Sequence, residues 1–247
     1  MKRTKSLFKE SFSIKESSCT IISDKKSGFE IARESITQNR IKLEKYIEFN
    51  SSFISSLKPM HVPKGPLIVE LMAKYAELAN VGPMASVAGV LADLAVSDMK
   101  KCGCNVAVVE NGGEISAFSD IPIDVGLSAG DVSLSNSFGF RLVDFPVGVA
   151  TSSGRFSHAL SFGEADAVTI FCETAGMADA AATAVCNVVK SNRSDKAIKI
   201  GIKKAKSIQN VLGVLIIYND LVGTAGNIPK IIKINKKNTS QNFQHLK

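Results

Sequence analysis

Alanine occupies positions 178, 180, 181, 182 and 184, so the stretch Met177–Val189 reads as a helix with almost no side-chain bulk. Five small residues within seven positions let another backbone approach closely, and such a helix belongs inside a core rather than on a surface. Two polar residues interrupt it, Asp179 and Thr183. Residues four apart on a helix share a face, so a carboxylate and a hydroxyl converge on one point. Hard cations such as Mg²⁺ take oxygen donors of this kind and borrow others from phosphates. An acid resting near a helix N-terminus is the plainer explanation of Asp179.

Around that helix the pattern predicts an α+β chain. Short strands are expected at Phe8–Ser13 and Thr20–Ser23, then a helix over 28–48 from the spacing of Phe29, Ala32, Ile36, Leu43 and Ile47. Ser51–Gly65 reads as a loop, followed by helices over 67–79 and Met84–Lys101 with Gly82-Pro83 between them. Strands follow at 106–110, 115–117, 121–127, 138–143, 147–151 and 165–172. Helices over 176–190 and 195–208 precede strands at 211–218 and 221–225. The order is hairpin, helices, hairpin, stated twice. It predicts a two-layer fold, helices on one face of a mostly antiparallel sheet, with an internal duplication. Alternating βαβ order is absent, which disfavours a doubly wound sheet. The expected organisation is a basic tail at 1–7, one domain over 8–229 with two pseudo-repeats, and a lysine-rich polar tail at 230–247.

The net charge of +7 invites a nucleic-acid reading until it is located. Residues 1–6 hold three basic groups and 230–247 hold five lysines, which leaves 22 basic against 23 acidic residues between them. A balanced body with basic ends does not make a nucleic-acid groove. Five cysteines at 19, 102, 104, 172 and 186 have neither a disulfide framework nor zinc spacing. No apolar run reaches the ~20 residues of a bilayer span, and the N-terminus has no apolar signal core. The expectations are a cytoplasmic protein with a small-molecule ligand, no nucleic acid and no membrane. A homodimer stays open.

Three further segments could contact a ligand. Thr151-Ser152-Ser153-Gly154 ends a strand with hydroxyls around a glycine, a composition that suits a phosphate or equally an ordinary turn. Glu110–Glu114 joins two strands through Gly112-Gly113, whose freedom at positive φ serves a hairpin or a close ligand approach. His158 is a candidate general acid or phosphate contact. Gly126-Leu-Ser128-Ala-Gly130 matches the hydrolase pattern Gly-x-Ser-x-Gly, but no helical periodicity follows it, so the match is treated as accidental.

Taken in order, Val81–Gly89, Glu110–Glu114, Thr151–Gly154 with His158, and Ala178–Thr183 resemble the ApbE superfamily of FAD:protein FMN transferases. The likeness runs from about Phe8 to Ile228, and is closest to the superfamily's short, uncharacterised branch in archaea and anaerobic bacteria. The resemblance implies a T-fold-like arrangement with an internal duplication. It implies Mg²⁺ on Asp179 and Thr183, since a helix of the same pattern supplies those ligands in the transferases. It also implies FAD or FMN beside Gly112, Gly113 and Glu114, and a ligand turn at Ser152, Ser153 and Gly154, with His158 as the catalytic candidate.

Two departures bear on the flavin. The transferases carry a lysine in a Gly-Gly-x-x-Lys-Gly loop, where this chain runs Gly82-Pro83-Met84-Ala85 to Ser86. They also carry a His-x-x-x-Asp-Pro-x-Thr-Gly segment, replaced here by the short Ser161–Ala165. Losing a cation and a ligand-facing loop argues against FAD, whose diphosphate needs donors or charge. The reading is therefore a Mg²⁺-assisted transferase, or a binder, of a phosphate-bearing, nucleotide-like molecule. The branch's association with sulfide assimilation into homocysteine supplies the alternative, an accessory role without flavin transfer.

Overall fold

A computed structural model describes residues 6–126, 138–154 and 163–233. The chain opens with the hairpin β1 (Phe8–Ile14) and β2 (Ser17–Ser23), then α1 (Ser27–Phe49), α2 (Ser52–Ser55) and α3 (Leu67–Ala79). A 3₁₀ turn over Pro83–Ser86 leads into α4 (Val87–Lys101). Next come β3 (Val106–Asn111), β4 (Glu114–Ser119), β5 (Ile123–Gly126), β6 (Phe138–Leu142), β7 (Val147–Ser152) and β8 (Ala167–Cys172). After α5 (Ala175–Cys186) and α6 (Ser194–Ser207) the chain closes with β9 (Gly213–Tyr218), β10 (Leu221–Gly226) and β11 (Lys230–Lys233).

Eight strands form one sheet in the order β1-β2-β3-β4-β7-β8-β9-β10, and every neighbouring pair is antiparallel. The first four and the last four strands each enclose a set of helices, so the twofold order of elements is visible in the sheet itself. Alternation along the strands assigns the two faces. Val168 and Ile170 of β8, with Val214 and Ile216 of β9, join the helix-side core; Ala167, Phe171, Leu215 and Ile217 join a second core on the far side. There β5, β6 and β11 form a three-stranded sheet, and Phe140 meets Phe171 edge-on at 4.9 Å. The α+β arrangement with helices on one face is thus present, and this small sheet adds a layer on the other.

Two local differences from the sequence expectation have simple causes. The loop expected at Ser51–Gly65 contains the single turn α2, which buries Phe53 against Tyr46 (ring centroids 5.3 Å apart). The tail expected from residue 230 is a strand over its first four positions, β11, with Ile231 opposite Phe140 and Ile232 opposite Gly139. Two β-branched residues between lysines suit such a sheet edge. Among the described residues no single helix is long and apolar enough to cross a membrane.

Helix α5, expected over 176–190, starts one residue earlier and ends at Cys186, and it is the most completely enclosed helix of the described residues. A Cβ on Gly89 of α4 would stand 2.5 Å from the Ala175 carbonyl carbon, and one on Gly176 would stand 2.5 Å from Val90 Cγ2. A Cβ on Gly148 of β7 would overlap the Thr174–Ala175 backbone. Gly89 and Gly148 therefore let α4 and β7 approach the start of α5 nearly backbone to backbone, and Gly176 makes room for the side chains of Val90 and Tyr75, which dispersion rewards only at such close range.

Candidate functional site: a buried carboxylate cluster

Ten of the twelve residues of α5 are buried, and the two that are not are Asp179 and Thr183. Among the described residues, the face of the helix that carries Asp179 and Thr183 is thus the one that packing does not fully enclose. Asp179 Oδ2 accepts the N–H of Gly89 at 3.1 Å, which pins the acid to the first turn of α4. In return α4 supplies Asp93, whose two carboxylate oxygens accept the N–H groups of Ala175 (2.9 Å) and Gly176 (2.8 Å). A helix start without its own side-chain cap is thereby capped by a neighbouring helix.

The β3–β4 hairpin reaches the same place from the sheet. Asn111 donates to the Ala88 carbonyl at 3.1 Å and accepts from the Cys19 thiol at 3.4 Å, tying the hairpin to the start of α4. Gly112 and Gly113 both have positive φ (69° and 115°), the backbone that a two-residue turn between Asn111 and Glu114 requires. The buried Glu110 holds the turn by accepting the Gly113 N–H at 2.8 Å. No atom of the described residues lies within 4 Å of where a Gly113 Cβ would be, so among them the tip of the hairpin borders open space.

Four carboxyl groups are raised in pKa by this arrangement. Burial is the main cause in each case, because it penalises the charged form. Asp179 is pushed up to about 7, with the charge of Asp93 adding to burial and the Gly89 N–H opposing it. Glu114 is pushed well above the carboxylate range by burial, then by the charge of Asp179, then by Glu110. Glu110 rises to about 7 and Asp93 to about 6, each by burial against the hydrogen bonds it accepts. Among the described residues, no lysine or arginine forms an ion pair with any of the four.

This donor set is all oxygen, which suits a hard cation and not a soft one. Among the described residues, no group of three or more His, Cys, Asp or Glu could hold a metal by itself. A cation bound by Asp179 and Thr183 would therefore need further oxygens from a ligand or water, as Mg²⁺ ordinarily does. The unmet negative charge beside Asp179 fits such an ion. Burial pushes the thiols of Cys19 and Cys172 up to about 12, which disfavours thiolate chemistry at those two positions, whereas Cys102 is exposed.

The other expected site residues divide. Gly112, Gly113 and Glu114 sit beside the cluster. Ser152 is the buried end of β7, and Thr151 bonds Thr169 hydroxyl to hydroxyl at 2.9 Å. Gly154 donates its N–H to the Ala165 carbonyl at 2.9 Å and packs on the Gly163–Glu164 backbone, so that donor is already engaged within the fold. His158 and the Ser128 motif lie outside the described residues. Asp93 escaped the sequence reading, although an acid inside the apolar run Val90-Leu-Ala-Asp93-Leu-Ala95 was a signal that could have found it.

The fold is shared with solved flavin transferases. The apo crystal structure of Pseudomonas stutzeri flavinyl transferase ApbE superposes with a TM-score of 0.58 at 14% identity, covering 89% of this chain and 94% of that one. The ApbE protein of Thermotoga maritima gives 0.54 at 14% identity, over 92% and 97%. The fold is thus that of an ApbE-like α+β protein. The family model described as AbpE bacteria matches residues 9–213, and the chain belongs to that family. Its similar relatives include UPF0280 proteins of Methanocaldococcus jannaschii, 40% identical over 94% of this chain and 96% of that one, and of Methanococcus vannielii, 40% identical over 94% and 95%.

Proposed function

We propose that this protein binds a phosphate-bearing, nucleotide-like small molecule of flavin type together with Mg²⁺, and acts as a transferase on it or as its carrier. The observation that carries this reading is the pair of buried acids Asp179 and Glu114, without an ion-paired cation among the described residues, on the incompletely buried face of α5 and beside the tip of the hairpin. A buried carboxylate is costly to ionise unless a cation compensates its charge. Asp179 and Thr183 would hold the ion, which when bound neutralises phosphate charge and orients a leaving group.

The chain's own residues do the rest. Gly89 fixes the Asp179 carboxylate, and Glu110 holds the hairpin in the conformation that carries Glu114. The missing Cβ of Gly113 leaves room for a ligand at the tip. Ser152 and Ser153 remain the candidate hydroxyl contacts, and His158 the candidate proton donor. Ser86, at the place of the transferases' lysine, is fully buried and donates to the carbonyls of Pro83 (3.0 Å) and Met72 (3.4 Å). It is structural and cannot replace a cation. Recognition of a diphosphate would therefore fall more heavily on the metal than on a side chain.

Thermal unfolding with FAD, FMN and ADP, each with and without Mg²⁺, tests this. A ligand at a hundred times its Kd stabilises by about 2.7 kcal/mol. The expected result is a Mg²⁺-dependent rise for at least one of the three, absent in Asp179→Ala. An equal rise in that variant would remove the metal assignment, and no rise with any of them would remove the ligand class.

A further inference from the structure

Among the described residues, neither edge of the eight-stranded sheet pairs with a further strand, and the two are protected very differently. Strand β1 carries Lys9 and Glu10, Glu10 pairs with Arg33, and Lys26 and Arg33 lie over the rings of Phe8 and Phe12. Charged side chains on an edge are the usual defence against a further strand. Strand β10, Leu-Val-Gly-Thr-Ala-Gly, has no charge and no proline, and exposes Leu221 (45%) and Val222 (49%).

The ladder phase shows what β10 offers. Leu221 opposes Tyr218, and in that register Asn227 N–H bonds the Leu212 carbonyl at 2.7 Å. Hydrogen-bonded pairs alternate along an antiparallel ladder, so residues 221, 223 and 225 bond to β9. The N–H and C=O groups of Val222 and Thr224 therefore point away from β9, toward the open edge.

Helix α6 lies along this edge. Gly223 has no Cβ because one would collide with Ile198, with Ile202 close by, and these two residues mark the stripe of α6 that faces β10. At about 100° per residue, Lys206 and Lys199 follow Ile198 and Ile202 round the helix on the side of the open edge, and Lys203, one turn from Lys199, lies on the outer surface above them. The helix holds five lysines and one acid, Asp195, which pairs with Arg193. Lys199, Lys203 and Lys206 are exposed and form no ion pair among the described residues.

We infer that the β10 edge and the lysine flank of α6 together form a docking site for an extended peptide segment of a partner protein, in which acidic and apolar residues alternate. Backbone groups of Val222 and Thr224 would pair with the added strand, as in other cases of strand addition. Because side chains alternate across a strand, one row of the guest faces α6 and the other lies beside Val222. Acids on the first row meet Lys199 and Lys206, with the charge of Lys203 above them, and apolar residues on the second cover exposed Val222. A second copy of this chain fits poorly, since pairing β10 with itself brings two lysine flanks together.

A fluorescent peptide of alternating Glu and Val tests this by anisotropy with the full chain. Saturable binding is expected, weakened about tenfold or more by the triple variant Lys199→Glu, Lys203→Glu, Lys206→Glu. N-methylation of the peptide's alternate amides, which keeps its charge, should weaken binding as much. An equal affinity for the charge-reversed protein or for the N-methyl peptide would overturn the inference, as would no saturable binding. A dimer of the free chain that Thr224→Pro dissociates would assign the edge to a second copy instead.

Discussion

Helices α1 and α5 hold the same place in the repeated order, each following a hairpin and packing on the sheet, yet they share almost nothing else. Helix α1 has 23 residues and buries only six, along one stripe, with charged side chains on the rest of its surface. Helix α5 has 12 residues and buries ten. On α1 a polar residue is unremarkable, because water covers most of the helix. On α5 a polar residue stands out, because α3, α4, α6 and the sheet take every other direction. A repeated scaffold does not repeat the chemistry; the surroundings of the helix decide which acid can be functional.

The sharpest way to break this contrast is Gly89→Val. Its side chain would enter the Ala175–Gly176 backbone, and α5 has no free direction in which to move. No cooperative unfolding transition should remain, as judged by near-ultraviolet circular dichroism and urea titration. Retained native folding would show that α5 is held less tightly than its burial implies.

A smaller effect should come from pH. Asp93, Glu110 and Asp179 have folded pKa values of about 6, 7 and 7, above the ordinary carboxylate range of the unfolded chain. Between about pH 4 and pH 7 the folded protein therefore holds more protons than the unfolded one, and stability falls as pH rises. Below that window both states are protonated and the penalty vanishes. The metal-free protein should lose on the order of a few kcal/mol from pH 5 to pH 8, measured by urea unfolding. Asp179→Asn should flatten the profile, and an unchanged slope would detach Asp179 from it.

The smallest effect belongs to α1. Its Arg33 pairs with Glu10 at 2.6 Å, but both side chains are well exposed. Arg33→Ala should cost less than about 1 kcal/mol in the same assay. A larger loss would mean that α1 and α5 differ less than their burial suggests.

Much of this was legible in the residues. Apolar spacing located α1, α3 and α4 closely, and the Asn111-Gly112-Gly113-Glu114 turn announced its hairpin. The alanines of α5 announced its burial. Position 93 was harder to read, since an acid in an apolar helix gains a role only once another helix start is packed against it. The turn at Ser153-Gly154 was harder still, because nothing local reveals that the Gly154 N–H already has an acceptor in Ala165. The three-stranded sheet was missed as a separate layer for a similar reason: alternation predicts a strand and a buried face, but not which sheet the strand joins.

Local preference, then, determined the elements and their order, since helix and strand periods depend on neighbours within a few residues. It also placed Asp179 and Thr183 on one helix face. Only the tertiary structure decided that Glu110 and Glu114, from a hairpin, and Asp93, from another helix, would gather around that face. Desolvation and charge repulsion act through space, between residues up to 86 positions apart in the chain (Asp93 to Asp179), and no local pattern records them.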